Sequence, residues 1–280
     1  MEVYRDGNGE IMKTLYVSDL DGTLLRTDES VSGYTCDVIN RLMDEGMCFS
    51  FATARSVVTA KKATKGLNVV TPLVLHNGVF VTDAASGKRV IENIFDNSID
   101  ELLDDLFASN ITPIVYSFIN DEERFSLIPG KMSEGANTFL ETRRGDKRWR
   151  EARSNDELTA GKIFYITCID EKEKLEPLYE KYKDTFHAVY GKDFYTGNRW
   201  LEFMSKKATK ANAILQLKDY LGCDKIISFG DAHNDIDMFE ISDEAYAVAN
   251  AIDELKAIAT GVIGSNDDDG VAKWLKAHYR

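Results

Sequence analysis

The sequence LYVSDLDGTLL, residues 15–25, joins a short apolar run to two aspartates and a glycine. A continuous apolar run of this kind is typical of a strand that is buried on both faces of a parallel sheet. Gly22 follows the second aspartate and allows the chain to turn tightly there. The pattern therefore predicts a buried strand whose carboxyl end presents Asp19 and Asp21.

Short strand patterns alternate with amphipathic helix patterns on both sides of this stretch. The strand patterns occupy residues 15–17, 48–52, 73–75, 226–229, 246–248 and 262–263. The helix patterns occupy residues 32–46, 56–66, 207–221, 233–241, 252–259 and 269–278. Such alternation is typical of a parallel sheet with helices on both faces. We predict an α/β fold whose core is a Rossmann-like, doubly wound parallel sheet.

The residues between these two blocks have a different pattern. Strand-like runs and helix patterns are mixed there, with strands at 114–119, 124–128, 162–169 and 186–189 and helices at 98–109 and 171–182. An α+β unit inserted into the parallel-sheet unit accounts for the change. The predicted core comprises residues 1–83 and 196–280, and the predicted insert comprises residues 84–195.

The chain has 280 residues and a formal net charge of −13, from 34 Lys and Arg against 47 Asp and Glu. Two folded units are the usual organisation at this length. An excess of acidic residues disfavours binding to the phosphate backbone of nucleic acids and to anionic membrane surfaces. We therefore expect neither a nucleic acid nor a membrane as a partner.

The sequence carries no sign of export. Charged residues interrupt its first fifteen positions, and no apolar run approaches the ~18–20 residues of a membrane span. The four cysteines are interpreted as buried thiols in a reducing compartment because they form no CxxC pair; they are Cys36, Cys48, Cys168 and Cys223. We expect a cytoplasmic protein. Residues 1–11 are either an extended start or an added leader.

Polar side chains follow three of the predicted strands. The sequence TAR at 53–55 follows the second strand, and GDAHND at 230–235 follows the strand at 226–229. Parallel strands end at one edge of a sheet, so these groups are expected to converge with Asp19 and Asp21. Clustered carboxylates repel one another unless a cation lies between them. Hard oxygen ligands that also bridge to phosphate suit Mg²⁺, which is the predicted cofactor.

These residues resemble the four motifs of the haloacid dehalogenase-like phosphohydrolases. The matching positions are DLDGTLL at 19–25, ATAR at 52–55, Lys210 and GDAHNDIDM at 230–238. The downstream sequences NA at 250–251 and DDGVA at 268–272 are similar to the Cof-type branch of sugar-phosphatase-like hydrolases. Members of that branch carry a large α/β cap after the third strand, where the pattern changes here. The resemblance runs from Met12 to the end of the chain and is strong in the predicted core.

The resemblance implies a Mg²⁺-dependent phosphatase that hydrolyses small, sugar-phosphate-like metabolites through an aspartyl-phosphate. It implies that Asp19 is the nucleophile and that Asp21 is the general acid and base. It also implies that Mg²⁺ is held by a carboxylate oxygen of Asp19, the backbone carbonyl of Asp21 and the carboxylate of Asp231.

Other residues have supporting roles by the same resemblance. Thr53 and Lys210 hold phosphate oxygens that are not transferred. Asp235 and Asn234 complete the surroundings of the ion or contact water and phosphate. The predicted cap, residues 84–195, sets specificity, although none of its residues identifies a substrate.

The chain departs from the family pattern at two positions. Ala54 and Ala211 stand where the family commonly has glycine. A Cβ at position 54 crowds a backbone amide that would donate to phosphate. Lys207 is a second lysine close to Lys210 and is an alternative for the third motif.

Some residues have two interpretations. Asn77 either contacts the substrate or serves the turn after the strand at 73–75, whereas His233 is interpreted as a helix start. The run RRGDKRWREAR at 143–153 is either a solvated face or the source of an arginine that reaches the substrate. Trp149 and Trp200 either pack in the core or stack on a sugar.

Two other functions remain alternatives. A phosphomutase of the phosphomannomutase type shares the first motif and a similar cap, and it would isomerise a hexose phosphate faster than it releases phosphate. A catalytically weak, phosphate-binding module would keep the fold and lose a motif residue, but Asp19, Asp21, Lys210 and Asp231 are all present. Neither the substrate nor the oligomeric state follows from the sequence.

Overall fold

The computed structural model describes residues 12–96, 98–192 and 199–279. These residues form two compact units. One contains the chain up to Glu92 together with the chain from Thr209 onward, and the other contains Asn93–Ala208. Residues 1–11, for which two origins are predicted above, lie outside the described residues. No helix in the described ranges is long and apolar enough to cross a membrane.

The secondary structure follows the predicted alternation in the outer parts of the chain. The strands are β1 (Thr14–Ser18), β2 (Cys48–Phe51), β3 (Leu73–Leu75), β4 (Phe80–Thr82), β5 (Arg89–Glu92), β6 (Ile114–Ile119), β7 (Glu122–Leu127), β8 (Trp149–Glu151), β9 (Lys162–Asp170), β10 (His187–Lys192), β11 (Arg199–Met204), β12 (Lys225–Gly230), β13 (Glu244–Val248) and β14 (Gly261–Ile263). The helices are α1 (Gly33–Asp44), α2 (Val57–Ala63), α3 (Asp100–Ala108), α4 (Glu134–Glu141), α5 (Asn155–Leu158), α6 (Lys172–Tyr182), α7 (Lys210–Leu221), α8 (Ile236–Glu240), α9 (Asp253–Ile258) and α10 (Gly270–His278).

A five-stranded parallel sheet forms the core of the first unit, in the order β14-β13-β12-β1-β2. The apolar run that opens the sequence supplies β1, and Leu15 and Val17 are fully buried there. Ser18, the last residue of β1, lies opposite Phe229 of β12 and Phe51 of β2. This register brings the carboxyl ends of three strands to one edge, which agrees with the predicted parallel-sheet core.

The third predicted strand joins this sheet only weakly. β3 is linked to β2 by a single parallel bridge between Ala52 and Val74. It otherwise pairs antiparallel with β4, which in turn pairs with β5. The reason is the tight turn that follows β3, where His76 and Asn77 both have positive φ angles. An apolar triplet cannot distinguish the two arrangements, because both bury its side chains.

Side-chain caps fix the helix boundaries. The Thr209 side chain accepts a hydrogen bond from the backbone N–H of Asn212, so α7 begins at Lys210 and not at the predicted residue 207. Gly222 ends α7 with a φ of 62°, the left-handed conformation that favours glycine at this position. The Ser32 side chain caps α1 in the same way, by accepting from the N–H of Thr35. The start of α7 matters most, because it places Lys210 in the first helical turn.

The second unit contains a six-stranded sheet in the order β10-β11-β9-β6-β7-β8. Neighbouring strands are antiparallel except for β7 and β8. α3 and α6 contribute Leu106 and Leu175 to a core that also contains Phe203 of β11. This is the mixed α+β organisation expected of the insert.

The limits of the compact units lie later in the chain than the predicted limits at 83/84 and 195/196. β5 hydrogen-bonds to β4 and therefore stays with the first unit. β11 pairs with β9 and β10 and therefore stays with the second unit. The assignment of residues 84–195 as a specificity cap stays a prediction.

Two arginines of the basic run at 143–153 form contacts within the second unit, whereas Arg144, Lys147 and Arg153 are exposed. Arg148 is 9% exposed and forms ion pairs with Glu123 and Asp146, each at 2.7 Å. Arg150 Nη1 donates to the carbonyl oxygen of Glu157 at 2.6 Å. The solvated-face interpretation therefore does not hold for Arg148.

Both tryptophans with two predicted roles pack against aromatic rings. The ring centroids of Trp149 and Phe125 are 5.8 Å apart, and those of Trp200 and Phe139 are 5.0 Å apart.

Candidate active site

The site begins where β1 ends. Asp19 directly follows this strand, and its backbone N–H donates to the carbonyl oxygen of Phe229 at 2.9 Å. The chain then turns through residues 20–24, where Gly22 has a φ of 79°. A Cβ at Gly22 would lie 2.4 Å from Oδ2 of Asp231. The glycine thus satisfies the backbone conformation and also leaves room for the next strand's carboxylate.

Lys210 connects two carboxylates at this edge of the sheet. Its Nζ lies 2.5 Å from Oδ1 of Asp19 and 2.7 Å from Oδ1 of Asp235. All three residues are buried, and Asp235 is 0% exposed. Lys207, the alternative lysine, has its Nζ 2.7 Å from Oδ2 of Asp96 in the second unit.

Asp231 and Asp235 follow β12. Oδ1 of Asp231 accepts a hydrogen bond from the Thr23 hydroxyl at 2.8 Å. Oδ2 of Asp235 accepts from the backbone N–H groups of Asp231 and Ala232, at 3.0 and 3.2 Å. The short turn at His233–Asp235 folds the Asp235 carboxylate back onto these N–H groups.

The three carboxylates can hold a cation. Asp19, Asp231 and Asp235 each offer one oxygen, and these oxygens lie within 4.8 Å of one another. Carboxylate oxygens are the donors that Mg²⁺ prefers. Both oxygens of Asp235 already accept hydrogen bonds from Lys210 or the backbone. Asp19 and Asp231 are therefore better placed to bind an ion directly, and Asp235 orients their surroundings.

The charges in this cluster do not balance by themselves. Burial raises the pKa of Asp19 well above its ordinary value, although the Lys210 charge opposes the shift. Burial raises the pKa of Asp231 to about 6; the Thr23 hydrogen bond opposes this, and the charge of Asp235 adds to it. Burial alone would lower the pKa of Lys210, but the adjacent carboxylates of Asp19 and Asp235 outweigh it and raise that pKa. Three carboxylates share one ammonium, so a further cation would stabilise their ionised forms.

Asp21 lies at the exposed side of the site. Its side chain is 50% exposed, and both carboxylate oxygens accept hydrogen bonds from Arg55. The shortest is 2.5 Å, from Nη2 to Oδ1. The same Nη2 lies 2.9 Å from Oε2 of Glu29. Hydrogen bonds to Asp21 hold the pKa of the Arg55 guanidinium above its ordinary value despite partial burial.

The remaining predicted residues occupy the same edge at different depths. Thr53 is fully buried, and its backbone carbonyl accepts from the N–H of Asn77 at 3.0 Å. Asn77 is 3% exposed and has a φ of 53°. It therefore lies in the turn after β3, which is one of the two roles predicted for it. Asn234 and His233 are both exposed in the turn after β12. Ala54 is also exposed, whereas Ala211 is 8% exposed within α7.

Sequence reasoning gave no role to several residues that hold these groups. Asn250 donates from Nδ2 to the carbonyl oxygen of Gly22 at 2.7 Å and accepts from the N–H of Asn266 at 3.0 Å. Asn266 in turn donates to the carbonyl oxygen of Leu25 at 3.0 Å. The Asn250-Ala251 pair is the only sequence signal for this support. Glu29 carries no signal at all.

The parallel α/β sheet with clustered carboxylates and a lysine at the carboxyl ends of its strands is typical of a phosphate-processing hydrolase, and comparison with known proteins agrees. The chain belongs to the haloacid dehalogenase-like hydrolase family, whose sequence model matches residues 16–275. Solved structures agree in fold. A Thermotoga maritima protein superposes with a TM-score of 0.77 at 24% identity, covering 96% of this chain and 98% of the other. A haloacid dehalogenase-like hydrolase from B. subtilis gives 0.77 at 21% identity, covering 96% and 100%.

Two curated relatives are both named 5-amino-6-(5-phospho-D-ribitylamino)uracil phosphatase, from Bacillus subtilis. One is 28% identical over 95% of this chain and 97% of its own length. The other is 28% identical over 92% of this chain and 95% of its own length. The predicted family, fold class and enzyme class, a phosphoric monoester hydrolase, are thereby confirmed.

Proposed function

We propose that this hydrolase is a Mg²⁺-dependent phosphatase of small phosphorylated metabolites that works through an aspartyl-phosphate on Asp19. The observation that carries the proposal is the contact of Lys210 with Asp19 inside the carboxylate cluster. An ammonium at 2.5 Å from a buried carboxylate orients it and supplies positive charge for an incoming phosphate. No other cluster in the described residues combines a nucleophile, a cation and candidate metal ligands in this way.

Each residue of the cluster has a role in the proposed reaction. Asp19 attacks phosphorus, and the leaving alkoxide takes a proton from Asp21. Asp21 then takes a proton from the water that hydrolyses the aspartyl-phosphate. Lys210 and Thr53 hold the phosphate oxygens that do not react, and Asn234 is a further candidate for that role.

The donor set fits the proposed Mg²⁺. Asp19 and Asp231 would hold it with their carboxylates, and the backbone carbonyl of Asp21 is the third proposed ligand. Bound there, the ion would neutralise charge between the carboxylates and the phosphate dianion. Asp235 would act by fixing Lys210 and the backbone of Asp231, with which it forms hydrogen bonds.

Phosphate release across a panel of phosphorylated metabolites tests the proposal. The panel should contain hexose and pentose phosphates and the phosphorylated ribitylaminouracil named for the relatives. We expect release that requires Mg²⁺, stops with chelator and is lost in Asp19→Asn. No release above the Asp19→Asn control with any substrate would reject the proposal. Isomerisation of a hexose phosphate in excess of phosphate release would favour the phosphomutase instead.

Metal affinity is expected to fall as the pH drops below about 6. The pKa of Asp231 in the folded protein is raised to about 6 from 3.8, so its carboxyl group is protonated below that pH and must lose its proton to bind Mg²⁺. Affinity then falls by about tenfold per pH unit for each displaced proton. Calorimetric titration with Mg²⁺ at pH 5 and pH 7.5 measures this.

The raised pKa of Asp231 also determines how the stability of the metal-free protein changes with pH. Because the folded-state pKa of Asp231 is raised, its contribution to stability is full below pH 3.8 and is lost as the pH rises through about 6. The Asp231 carboxyl group should therefore make the metal-free protein more stable, with a higher melting temperature, at pH 5 than at pH 7.5. Asp231→Asn should flatten both pH dependences, and an unchanged pH slope in that variant would contradict the assignment.

Gly22→Ala is expected to weaken metal binding strongly. The new Cβ would lie 2.4 Å from Oδ2 of Asp231, so that carboxylate must move. Gly87→Ala is a matched control, because Gly87 also has a positive φ, of 72°, but a Cβ there meets nothing within 4 Å. Both variants should lose about 1 kcal/mol of stability from backbone strain. Equal Mg²⁺ affinity in the two variants, measured by calorimetry, would contradict the prediction.

A further inference from the structure

Glu29 lies in a loop that the C-terminal part of the chain holds in place. The backbone N–H and the hydroxyl of Thr27 donate to the Asp267 carboxylate at 2.9 and 2.7 Å. Nη2 of Arg26 donates to Asp269 at 2.7 Å. These contacts fix the loop just before Glu29.

The backbone of the loop is closed and strained. The N–H of Glu29 donates to the carbonyl oxygen of Arg26 at 2.9 Å, and the N–H of Arg26 donates to that of Ser30 at 3.0 Å. Glu29 has a φ of 61°. A residue with a side chain adopts this conformation only where its surroundings impose it. The loop therefore presents the Glu29 side chain in a defined direction.

The Glu29 side chain contacts Arg55. Oε2 of Glu29 lies 2.9 Å from Nη2 of Arg55, the same nitrogen that bonds Oδ1 of Asp21. Nε of Arg55 donates to Oδ2 of Asp21 at 2.8 Å. The planar guanidinium is held along one edge by Asp21 and at one corner by Glu29, so Glu29 restricts how it rotates.

We propose that Glu29 is a positioning residue, which acts through Arg55 to hold the Asp21 carboxylate in its working orientation. The inference rests on the proposed function, because it assumes that Asp21 transfers the proton to the leaving group. It extends that function to a residue outside the four motifs.

Leaving-group dependence tests the proposal. Expulsion of an alkoxide needs the acid, whereas expulsion of dinitrophenolate does not. Glu29→Gln should lower kcat/KM for an alkyl phosphate about three- to tenfold and leave that for dinitrophenyl phosphate nearly unchanged. The expected effect is modest because Glu29 is 68% exposed, and exposed ion pairs are weak. A burst of dinitrophenolate should also become larger, since the second step still needs Asp21.

The control is Glu45→Gln, which breaks another exposed Glu–Arg pair, the one with Arg41 at 3.7 Å. This variant should behave as the wild type with both substrates. If Glu29→Gln is active and the ratio of its two kcat/KM values is unchanged, this inference is overturned, but the proposed function is not. Absence of phosphate release from the wild type would reject the proposed function and this inference together.

A second observation, independent of catalysis, concerns two buried thiols. Cys48 begins β2, and Cys223 lies between α7 and β12. Their Sγ atoms are 3.8 Å apart, although 175 residues separate them in the sequence. The two residues are only 8% and 7% exposed, and both are free thiols.

The surroundings of the pair favour ionisation of one partner. The hydrogen bond from Cys223 lowers the pKa of the Cys48 thiol, burial opposes the shift and the Lys13 charge supports it. The same contact raises the pKa of Cys223. Cys48 is therefore the partner that reacts first with an oxidant.

The geometry points to a disulfide between Cys48 and Cys223 that forms when the protein meets a peroxide. The Cys48 thiolate attacks a peroxide oxygen, the O–O bond breaks, and the leaving hydroxide takes up a proton to become water. The resulting sulfenic acid is attacked by Cys223, which loses its proton as the S–S bond forms and a second water leaves. Two thiols are oxidised, and one hydrogen peroxide is reduced to two waters.

The cross-link should stabilise the fold without blocking the site. It would close a long loop, which removes entropy from the unfolded chain. Cys48 lies opposite Leu15, near the amino end of β1, whereas Asp19 follows the other end. The oxidised protein should keep its phosphate release and gain roughly 5–10 °C in Tm.

Peroxide treatment followed by peptide mapping under non-reducing conditions tests this. We expect a Cys48–Cys223 peptide in wild type and in Cys36→Ser, none in Cys48→Ser, and a Tm gain that dithiothreitol reverses. Either of two results would overturn the inference: no such peptide in folded protein whose Cys48 is oxidised, or a cross-link that forms only in denaturant.

Discussion

Asp19→Asn should reduce phosphate release by at least about 10³-fold with every substrate. The carboxamide cannot attack phosphorus, and it also weakens the 2.5 Å contact with Lys210. Radiolabelled substrate, quenched during turnover, should leave label on the wild-type chain and none on the variant. The variant should nevertheless be as stable as the wild type at neutral pH, because burial disfavours the ionised Asp19 carboxylate.

Asp237→Asn is the matched control. Asp237 lies two residues after Asp235, a member of the cluster, but it is exposed on α8. It should keep wild-type activity and stability. Label that persists in Asp19→Asn, or activity within tenfold of the wild type, would contradict the role of Asp19.

The residues that converge at the edge of the sheet could be predicted because each one follows a strand. Asp19 and Asp231 are the first polar residues after β1 and β12, which are neighbours in the parallel sheet. Once that sheet is predicted, the approach of the two carboxylates follows from the parallel order. The choice of Lys210 over Lys207 needed the structure, because only the cap by Thr209 determines where α7 begins.

Contacts between surface loops could not be predicted in the same way. Glu29 contacts Arg55 because Asp267 and Asp269 fix its loop, and no periodic pattern encodes such long-range pairs. The Cys48–Cys223 approach is hidden for the same reason, as 175 residues separate the thiols. β11 also escaped prediction, since its sequence, RWLEFM, mixes charged and apolar residues that only the pairing with β9 and β10 accounts for.

Removal of the Lys210 ammonium should damage stability and activity together. In Lys210→Met the carboxylates of Asp19 and Asp235 lose their buried partner, and a broken buried ion pair costs about 3–5 kcal/mol. At roughly 2–4 °C per kcal/mol, Tm should fall by about 10 °C. Activity should fall by about 10²- to 10³-fold, because a charge on the proposed phosphate site is lost.

Addition of Mg²⁺ distinguishes the loss of stability from the loss of activity in Lys210→Met. In the variant, the ion is the remaining cation for the cluster, so it should raise Tm more in Lys210→Met than in the wild type, while activity stays low. Lys207→Met is the matched control: Lys207 is 66% exposed, and its removal should change Tm and activity little. A larger loss of activity in Lys207→Met than in Lys210→Met would contradict the assignment. Differential scanning fluorimetry with and without Mg²⁺, together with the phosphate-release assay, measures both effects. If Mg²⁺ binds among these carboxylates, it should restore stability to Lys210→Met without restoring turnover.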